Sequence, residues 1–432
     1  MTTLVEDIVQ QRFIELFGPE FGHGKPFDLA RLRAALHQLG DPQDKLPPVI
    51  HVAGTNGKGS TIAFMRAIAE AAGHKVHAFT KPHLLRINER FVLASKAADN
   101  ERLIDAAERV CAVAPEITQF DAQVAAAFLL FSEMAADAVL LETGMGGRDD
   151  STNVVAAPTL TVLTPIALDH QDALGHTLGE IAAHKAGIFK RGVPAIVARQ
   201  EDAPRIVIEA QADAIGAPLY RQGVEWDAYA SHGRLVVQTE TRALDLPLPA
   251  LFGVHQIENA GLACAALLAP WRHQFSDDAF AEGVGNARWP GRLQPLTRGP
   301  LSAPIRALGG EVWVDAGHNA HAAYAVARAL KQMKAQRGGH NIAIAGLRKR
   351  KDALKFIAAL AQSIEHLIAV PLPEDHASVH EIAKLGYDLG IDVDTAPSLA
   401  AAMQNAAQLS APRVLICGSF LLAAEALALE NA

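Results

Sequence analysis

The stretch Gly54-Thr55-Asn56-Gly57-Lys58-Gly59-Ser60, with Thr61 next, has the residue types of a phosphate site. Glycines let a loop turn its backbone N–H groups inward, and a lysine adds a point charge. A hydroxyl beside them suits a hard cation. The chemistry this points to is polyphosphate with magnesium: Lys58 on the β- and γ-phosphates, Ser60 or Thr61 on the metal. The general pattern places its first glycine where Val52 stands, and here Gly54 lies closer to the Gly57-Lys58 pair. A plain Gly-rich turn is the alternative. What favours the phosphate reading is an apolar strand before the loop and a helix after it.

Other polar groups fall where apolar runs end. Thr80-Lys81-Pro82-His83 is followed by Arg86, Asn88, Glu89 and Arg90. Glu142 closes an apolar run and precedes Gly144-Met145-Gly146-Gly147-Arg148-Asp149-Asp150. An acid there, downstream of a phosphate loop, suits a magnesium-handling carboxylate. Asp169-His170 closes another run, and a neutral imidazole in that place suits a metal. A solvated loop, a solvated acid and a structural histidine are the respective alternatives.

These groups need elements to hold them. Val49, Ile50 and Val52 read as a buried strand, and Ile62, Met65, Ile68, Ala69 and Ala72 recur at helical spacing. Further strands are expected over 75–79, 137–141, 158–164 and 193–198, separated by helices. If these strands are parallel, the polar groups collect at one carboxyl edge, where α/β sheets bind ligands. Asp28 is a suitable N-cap for a helix over 29–39. Short alternating runs within 220–248 suggest antiparallel strands at one edge. Residues 295–304 read as a linker, after which strands over 312–314, 341–345, 366–370 and 413–417 restart the α/β rhythm. The expected fold is α/β: a P-loop ATPase-like domain over 1–296, with a mostly parallel sheet and a small antiparallel edge sheet, then a Rossmann-like α/β domain over 297–432.

Composition narrows the function. A chain of 432 residues, half of them hydrophobic, can bury sizeable cores. The net charge of −8 argues against a general nucleic-acid or membrane-surface binder, so an anionic substrate needs a local basic focus. Cys111, Cys264 and Cys417 sit far apart in apolar surroundings and read as free thiols. Acidic residues near the start do not suit a signal peptide, and no charge-free run reaches membrane-spanning length. The cytoplasm is the expected compartment and a monomer the expected state.

Taken in order, Gly54 to Thr61, Pro82-His83 with Arg86 to Arg90, Glu142 to Asn153, Leu168-Asp169-His170, Lys185-Ala186-Gly187-Ile188-Phe189, Asn259, Pro290-Gly291-Arg292, Asp315 with His318-Asn319, and Gly418-Ser419-Phe420 resemble the folylpolyglutamate synthase/dihydrofolate synthase family, relatives of the Mur ligases. The resemblance implies an ATP-dependent amide ligase that adds L-glutamate to dihydropteroate or to folates through an acyl phosphate. It implies ATP and Mg2+, with K+ as a candidate monovalent activator. Carried over by motif, Gly54, Thr55, Asn56, Gly57, Lys58, Gly59, Ser60 and Thr61 hold phosphates. Asn259, Arg292 and Asp315 contact the nucleotide across a domain cleft. Ser60, Glu142 and His170 bind the metal. Lys58, His170 and Lys185 are catalytic, and Lys185 matches a lysine that carries a carbamate. Phe27, Asp28, Pro82, His83, Thr118, Gln119, Phe120, Asp121, Arg148, Asp149, Asp150, Ser151, His318 and Asn319 fall to the substrates. Two departures stand out: Lys81 replaces a metal-ligating serine, and Asp315-Ala316-Gly317-His318-Asn319-Ala320 alters the usual Asp-Gly-Ala-His-Asn-Pro.

Overall fold

The structure is a computed structural model that describes residues 7–19, 28–269, 274–349, 351–373, 375–409 and 412–432. Phe27 lies outside the described residues. The described residues form two compact units, one within 7–250 and 257–288, the other within 251–256 and 289–432.

The larger unit is built on an eight-stranded sheet. Its strands are β1 (Val49–Ala53), β2 (Val76–Phe79), β3 (Phe91–Leu93), β4 (Lys96–Ala97), β5 (Ala138–Glu142), β6 (Leu160–Leu163), β7 (Ala195–Val197) and β8 (Leu219–Arg221). Their order is β4-β3-β2-β5-β1-β6-β7-β8, parallel from β2 to β8, with β3 and β4 antiparallel at one edge. β1 and β5 are buried at every position, because helices cover both faces of a parallel sheet and leave no polar side. One core cluster holds Phe13, Leu36, Phe79, Phe128 and Leu141; another holds Leu163, Ile181, Val197 and Ile208. Gly283, in the helix Asp277–Asn286, lies against the helix Lys58–Ala71: a Cβ on it would stand 2.4 Å from the Ile68 Cα, so only glycine allows this approach. β9 (Trp226–Ser231), β10 (Arg234–Thr239) and β11 (Ala243–Pro247) form a separate antiparallel sheet of three strands.

The smaller unit has β12 (Gln294–Leu296), β13 (Glu311–Val314), β14 (His340–Ala345), β15 (His366–Ala369), β16 (Asp392–Thr395) and β17 (Pro412–Cys417). Their order is β12-β13-β17-β14-β15-β16, parallel except for β12. Here the expectation of a linker over 295–304 needs correction. β12 pairs with β13, and the next loop is bound to the last helix: the Glu430 carboxylate accepts from the N–H groups of Arg298, Gly299 and Ser302 and from the Ser302 hydroxyl. Pro295 sits on an edge strand, where a missing donor is tolerated.

Candidate active site

Register gathers the chemistry. Val52 pairs with Glu142 and Ala53 with Leu163, so the loops after β1, β5 and β6 leave the sheet side by side. β2 borders β5, which adds the Lys81 loop. The β1 loop takes shape from its neighbours. The Thr55 N–H donates to the Pro165 carbonyl at 3.1 Å, and the Thr55 hydroxyl donates to the Ala167 carbonyl at 3.1 Å. Gly57 has a φ of 92°, and a Cβ there would stand 2.4 Å from the Asn259 Oδ1, so Asn259 packs directly on the loop. The helix starts at Lys58, straight after this left-handed residue, and its N-terminal N–H groups favour anions.

Lys58 Nζ donates to the Gly54 and Thr55 carbonyls, each at 3.3 Å, and stands 3.8 Å from Glu142 Oε1. Glu142 is buried, and its Oε2 accepts from the Lys81 N–H at 3.1 Å. The Lys81 ammonium lies 4.3 Å from the centre of the Phe120 ring. Phe120 in turn fills the space beside Gly144, where a Cβ would stand 2.3 Å from the ring. Ser60 and Thr61 are buried, yet among the described residues neither hydroxyl has a hydrogen-bond partner. Orphaned hydroxyls at a helix N-terminus, with a lysine and a carboxylate alongside, fit a magnesium-bound polyphosphate. Among the described residues no three His, Cys, Asp or Glu side chains converge as a metal cluster, so a metal held here needs hydroxyl and phosphate oxygens as well. His170 is exposed and begins the short helix Gln171–Leu174 with a φ of 51°.

Lys185, in the last turn of the helix Leu178–Lys185, is buried beneath the loop and donates to the Gly54 carbonyl at 2.7 Å. Burial, with Lys58 adding to it, pushes its amine down to about 7, against Asp169 and Asp150. Gly147 packs on the carbonyls of His184 and Lys185, where a Cβ would stand 2.7 Å from the latter. Arg148 lies on the surface, donating to Asp149 at 3.1 Å.

Asp150 turns inward. It accepts from the Met145 N–H at 2.7 Å, the Thr152 N–H at 3.0 Å and the Thr152 hydroxyl at 2.6 Å, while burial raises its pKa. Because that hydroxyl donates to Asp150, it accepts from His51 Nε2–H, 2.8 Å away. His51, in the middle of β1, is enclosed and its imidazole is pushed down to about 3, mainly by burial. Nothing in the chain pattern singled out His51. Ser151 joins a second group: its hydroxyl donates to Asp121 at 2.6 Å, and Asp121 closes a capping box with Thr118. The Thr118-x-x-Asp121 spacing was the available signal that the helix Gln119–Glu133 begins there. Asp28 caps the helix Leu29–Gln38 through the Ala30 and Arg31 N–H groups. Pro82 follows a cis bond, and His83 Nδ1 accepts from Arg90 Nε at 2.9 Å.

In the smaller unit Asp315 accepts from the Leu293 N–H at 2.9 Å and the Gly317 N–H at 2.7 Å. Arg292 stands 5.1 Å from the Phe420 ring centre, and the His318 ring 5.4 Å from it. Asn319 caps the helix Ala320–Arg337. Arg292, Asp315, His318 and Phe420 thus form one cluster, to which Phe420 is the addition.

Two family models cover most of this architecture: Mur ligase middle domain over residues 52–267 and Mur ligase, glutamate ligase domain over 304–420. The dihydrofolate synthase/folylpolyglutamate synthase of Escherichia coli (strain K12) is 34% identical over 405 residues, 92% of this chain and 90% of its own. The chain belongs to the dihydrofolate synthase/folylpolyglutamate synthase family of Mur ligases. The Bacillus subtilis (strain 168) enzyme of the same name is 35% identical over 325 residues, covering 70% of this chain and 72% of its own. The structure of E. coli FolC in complex with DHPP and ADP superposes with a TM-score of 0.86 at 29% identity, over 100% of this chain and 99% of that one. The Yersinia pestis bifunctional folylpolyglutamate synthase/dihydrofolate synthase complexed with AMPPNP and Mn gives 0.85 at 29% identity, over 100% of both chains. The phosphate loop, Glu142 and Asp315 stand at the carboxyl ends of β1, β5 and β13.

Proposed function

We propose that this protein is an ATP-dependent ligase that joins the amine of L-glutamate to a carboxylate of dihydropteroate or a folate. A carboxylate is a poor acylating agent, and transfer of the γ-phosphoryl group of ATP supplies its leaving group. The glutamate amine then attacks the acyl carbon, an amide forms, and phosphate departs. The observation that carries the reading is the pair of buried, partnerless hydroxyls of Ser60 and Thr61, beside Lys58 and Glu142, in a chain of this family.

Each residue has a definable task. The N–H groups at the start of the helix Lys58–Ala71 hold phosphate oxygens, and Lys58 neutralises charge as the phosphoryl group moves. Its two carbonyl contacts fix the ammonium before substrate arrives. Ser60, Glu142 and His170 are the groups to hold magnesium, which when bound draws charge from the phosphate oxygens. Burial pushes the Lys185 amine towards the neutral form that carbamate formation requires, and a carbamate there would set a carboxylate beside Gly54. Arg292 and Asp315 are offered to the nucleotide, and Thr118, Phe120, Asp121 and Ser151 to the pteridine end of the acceptor. A phosphate-release assay with ATP, magnesium and glutamate tests the whole. Release dependent on dihydropteroate or tetrahydrofolate is expected; release with a UDP-sugar peptide instead, or with no acceptor, overturns it.

A further inference from the structure

Gln200 follows the end of β7, and its half-buried side chain reaches over the loop after β6. Gln200 Oε1 accepts from the Ile166 N–H at 3.0 Å. Gln200 Nε2 donates to the carbonyls of Thr164 at 3.3 Å and Ala198 at 3.1 Å. An N–H can only donate and a carbonyl can only accept, so the amide has one orientation. Its bonds bracket Pro165, which has no N–H of its own to tie the chain down.

The same segment also carries the phosphate loop. The Pro165 carbonyl accepts from the Thr55 N–H at 3.1 Å and the Asn56 N–H at 3.5 Å. Ala167 exchanges two bonds with the Thr55 hydroxyl: its N–H donates at 3.0 Å and its carbonyl accepts at 3.1 Å. The phosphate loop thus hangs on residues 165–167, while the three Gln200 bonds hold residues 164 and 166 against the end of β7. His170 follows on the same segment.

We propose that Gln200 is a positioning residue for ATP: by fixing the Pro165 carbonyl on which Thr55 and Asn56 hang, it sets the phosphate loop before the nucleotide arrives. The inference rests on the proposed nucleotide site. A loop already in its bound shape loses less freedom on binding and so binds more tightly. Without the amide, the Ile166 N–H and the Thr164 carbonyl turn to water, and the segment under the phosphate loop gains freedom. If Gln200 merely ended β7, its loss would loosen residues 166 and 198–200 and leave residues 54–57 as they are.

Hydrogen exchange and calorimetric titration with AMPPNP and Mg2+, on the full-length protein, test this without turnover. Gln200→Met keeps the length and removes all three bonds. Exchange over residues 54–57 should then quicken several-fold while that of β14, in the smaller unit, is unchanged. AMPPNP affinity should weaken by about tenfold, the scale of one net hydrogen bond. Gln200→Glu adds a rescue arm. Its carboxylate still accepts from Ile166 but meets two carbonyls as an acceptor, and protonation, which those carbonyls favour, restores a donor. Its affinity relative to wild type should recover as pH falls from about 7.5 to about 5.5, whereas the ratio for Gln200→Met stays flat. Thermal melts check folding, and the pH arm decides alone if Gln200→Met does not fold. If exchange over 54–57 and AMPPNP affinity match wild type in the folded variants, Gln200 serves only its own turn and the proposal falls while the nucleotide site stands. If the wild type binds no AMPPNP, the nucleotide reading and this inference fall together.

Discussion

Ser60 and Thr61 keep buried hydroxyls without partners, whereas Asp150, on the loop after the neighbouring strand, is saturated by backbone and side-chain donors. Both regions sit at the carboxyl edge of the same sheet, and both bury polar groups. The difference is what the polarity is for. A buried group without a partner is costly unless a ligand completes it. A carboxylate held by three donors of its own loop has little left to offer a ligand and works by folding that loop. The phosphate loop is thus open for a ligand, and the Asp150 loop is the frame that holds Gly147 against the carbonyl of Lys185.

The largest expected effect breaks the open side. Lys58→Ala removes the ammonium held by Gly54 and Thr55, and a charge-stabilising donor contributes roughly 2.7–4 kcal/mol in a transition state. Turnover should fall by about a hundredfold to a thousandfold with the fold intact. Near-normal turnover in purified Lys58→Ala would remove the phosphate-loop assignment.

Lys185 joins the two sides, since it lies under the loop and behind the frame. Lys185→Ala should abolish most activity, and added short carboxylic acids should restore part of it. Unchanged activity would reject a catalytic role. Its titration also predicts stability. The folded amine titrates near 7 and the free one at 10.5, so between those values the unfolded chain holds more protons. Folding stability should therefore rise with pH across that window, and the cost of burying the charge should be fully present below about 7. Urea midpoints at pH 6.5 and 9.5, compared with those of Lys185→Met, should separate in that direction; parallel midpoints would mean the amine is not held neutral.

The saturated side should fail differently. Asp150→Ala strips acceptors from the Met145 and Thr152 N–H groups and the Thr152 hydroxyl, and each unsatisfied buried donor costs about 1–3 kcal/mol. A loss of at least about 2 kcal/mol in denaturant unfolding is expected. Full stability with lost substrate binding would show that Asp150 is a ligand group after all.

The same contrast explains what could be read from the chain. The phosphate loop was legible because Gly57, Lys58 and the apolar β1 run are local signals, and so was Glu142 at the end of β5. The helix start at Lys58 rather than near residue 62 was not, since Gly57 in a left-handed conformation acts as its cap and composition alone favours the later apolar positions. Arg90 with Gln123, and His51 with Thr152, are pairs distant in sequence that only the topology brings together. β12 was hidden by Pro295, which reads as a breaker except on an edge.

Lys81 gives the smallest expected effect and the finest test of the open side. It follows β2 in the loop beside β5, where the family resemblance implies a serine hydroxyl on the metal. A lysine has three donors and no acceptor, so it cannot replace that ligand. Nor should its ammonium approach the ion, since two unit charges at about 4 Å repel by about 4 kcal/mol even at an effective dielectric of about 20. In the structure the ammonium lies over the Phe120 ring at 4.3 Å, while the Lys81 N–H donates to Glu142. Such a contact is worth about 0.5–1 kcal/mol when partly exposed. Lys81→Ser removes the cation and restores a hydroxyl acceptor next to Glu142. The magnesium concentration for half-maximal rate should then fall by up to about fivefold, the scale on which one partly exposed charge acts, up to about 1 kcal/mol. Direct Mn2+ binding should tighten in parallel. If neither quantity moves in Lys81→Ser, the lysine serves Phe120 alone and has no bearing on the metal.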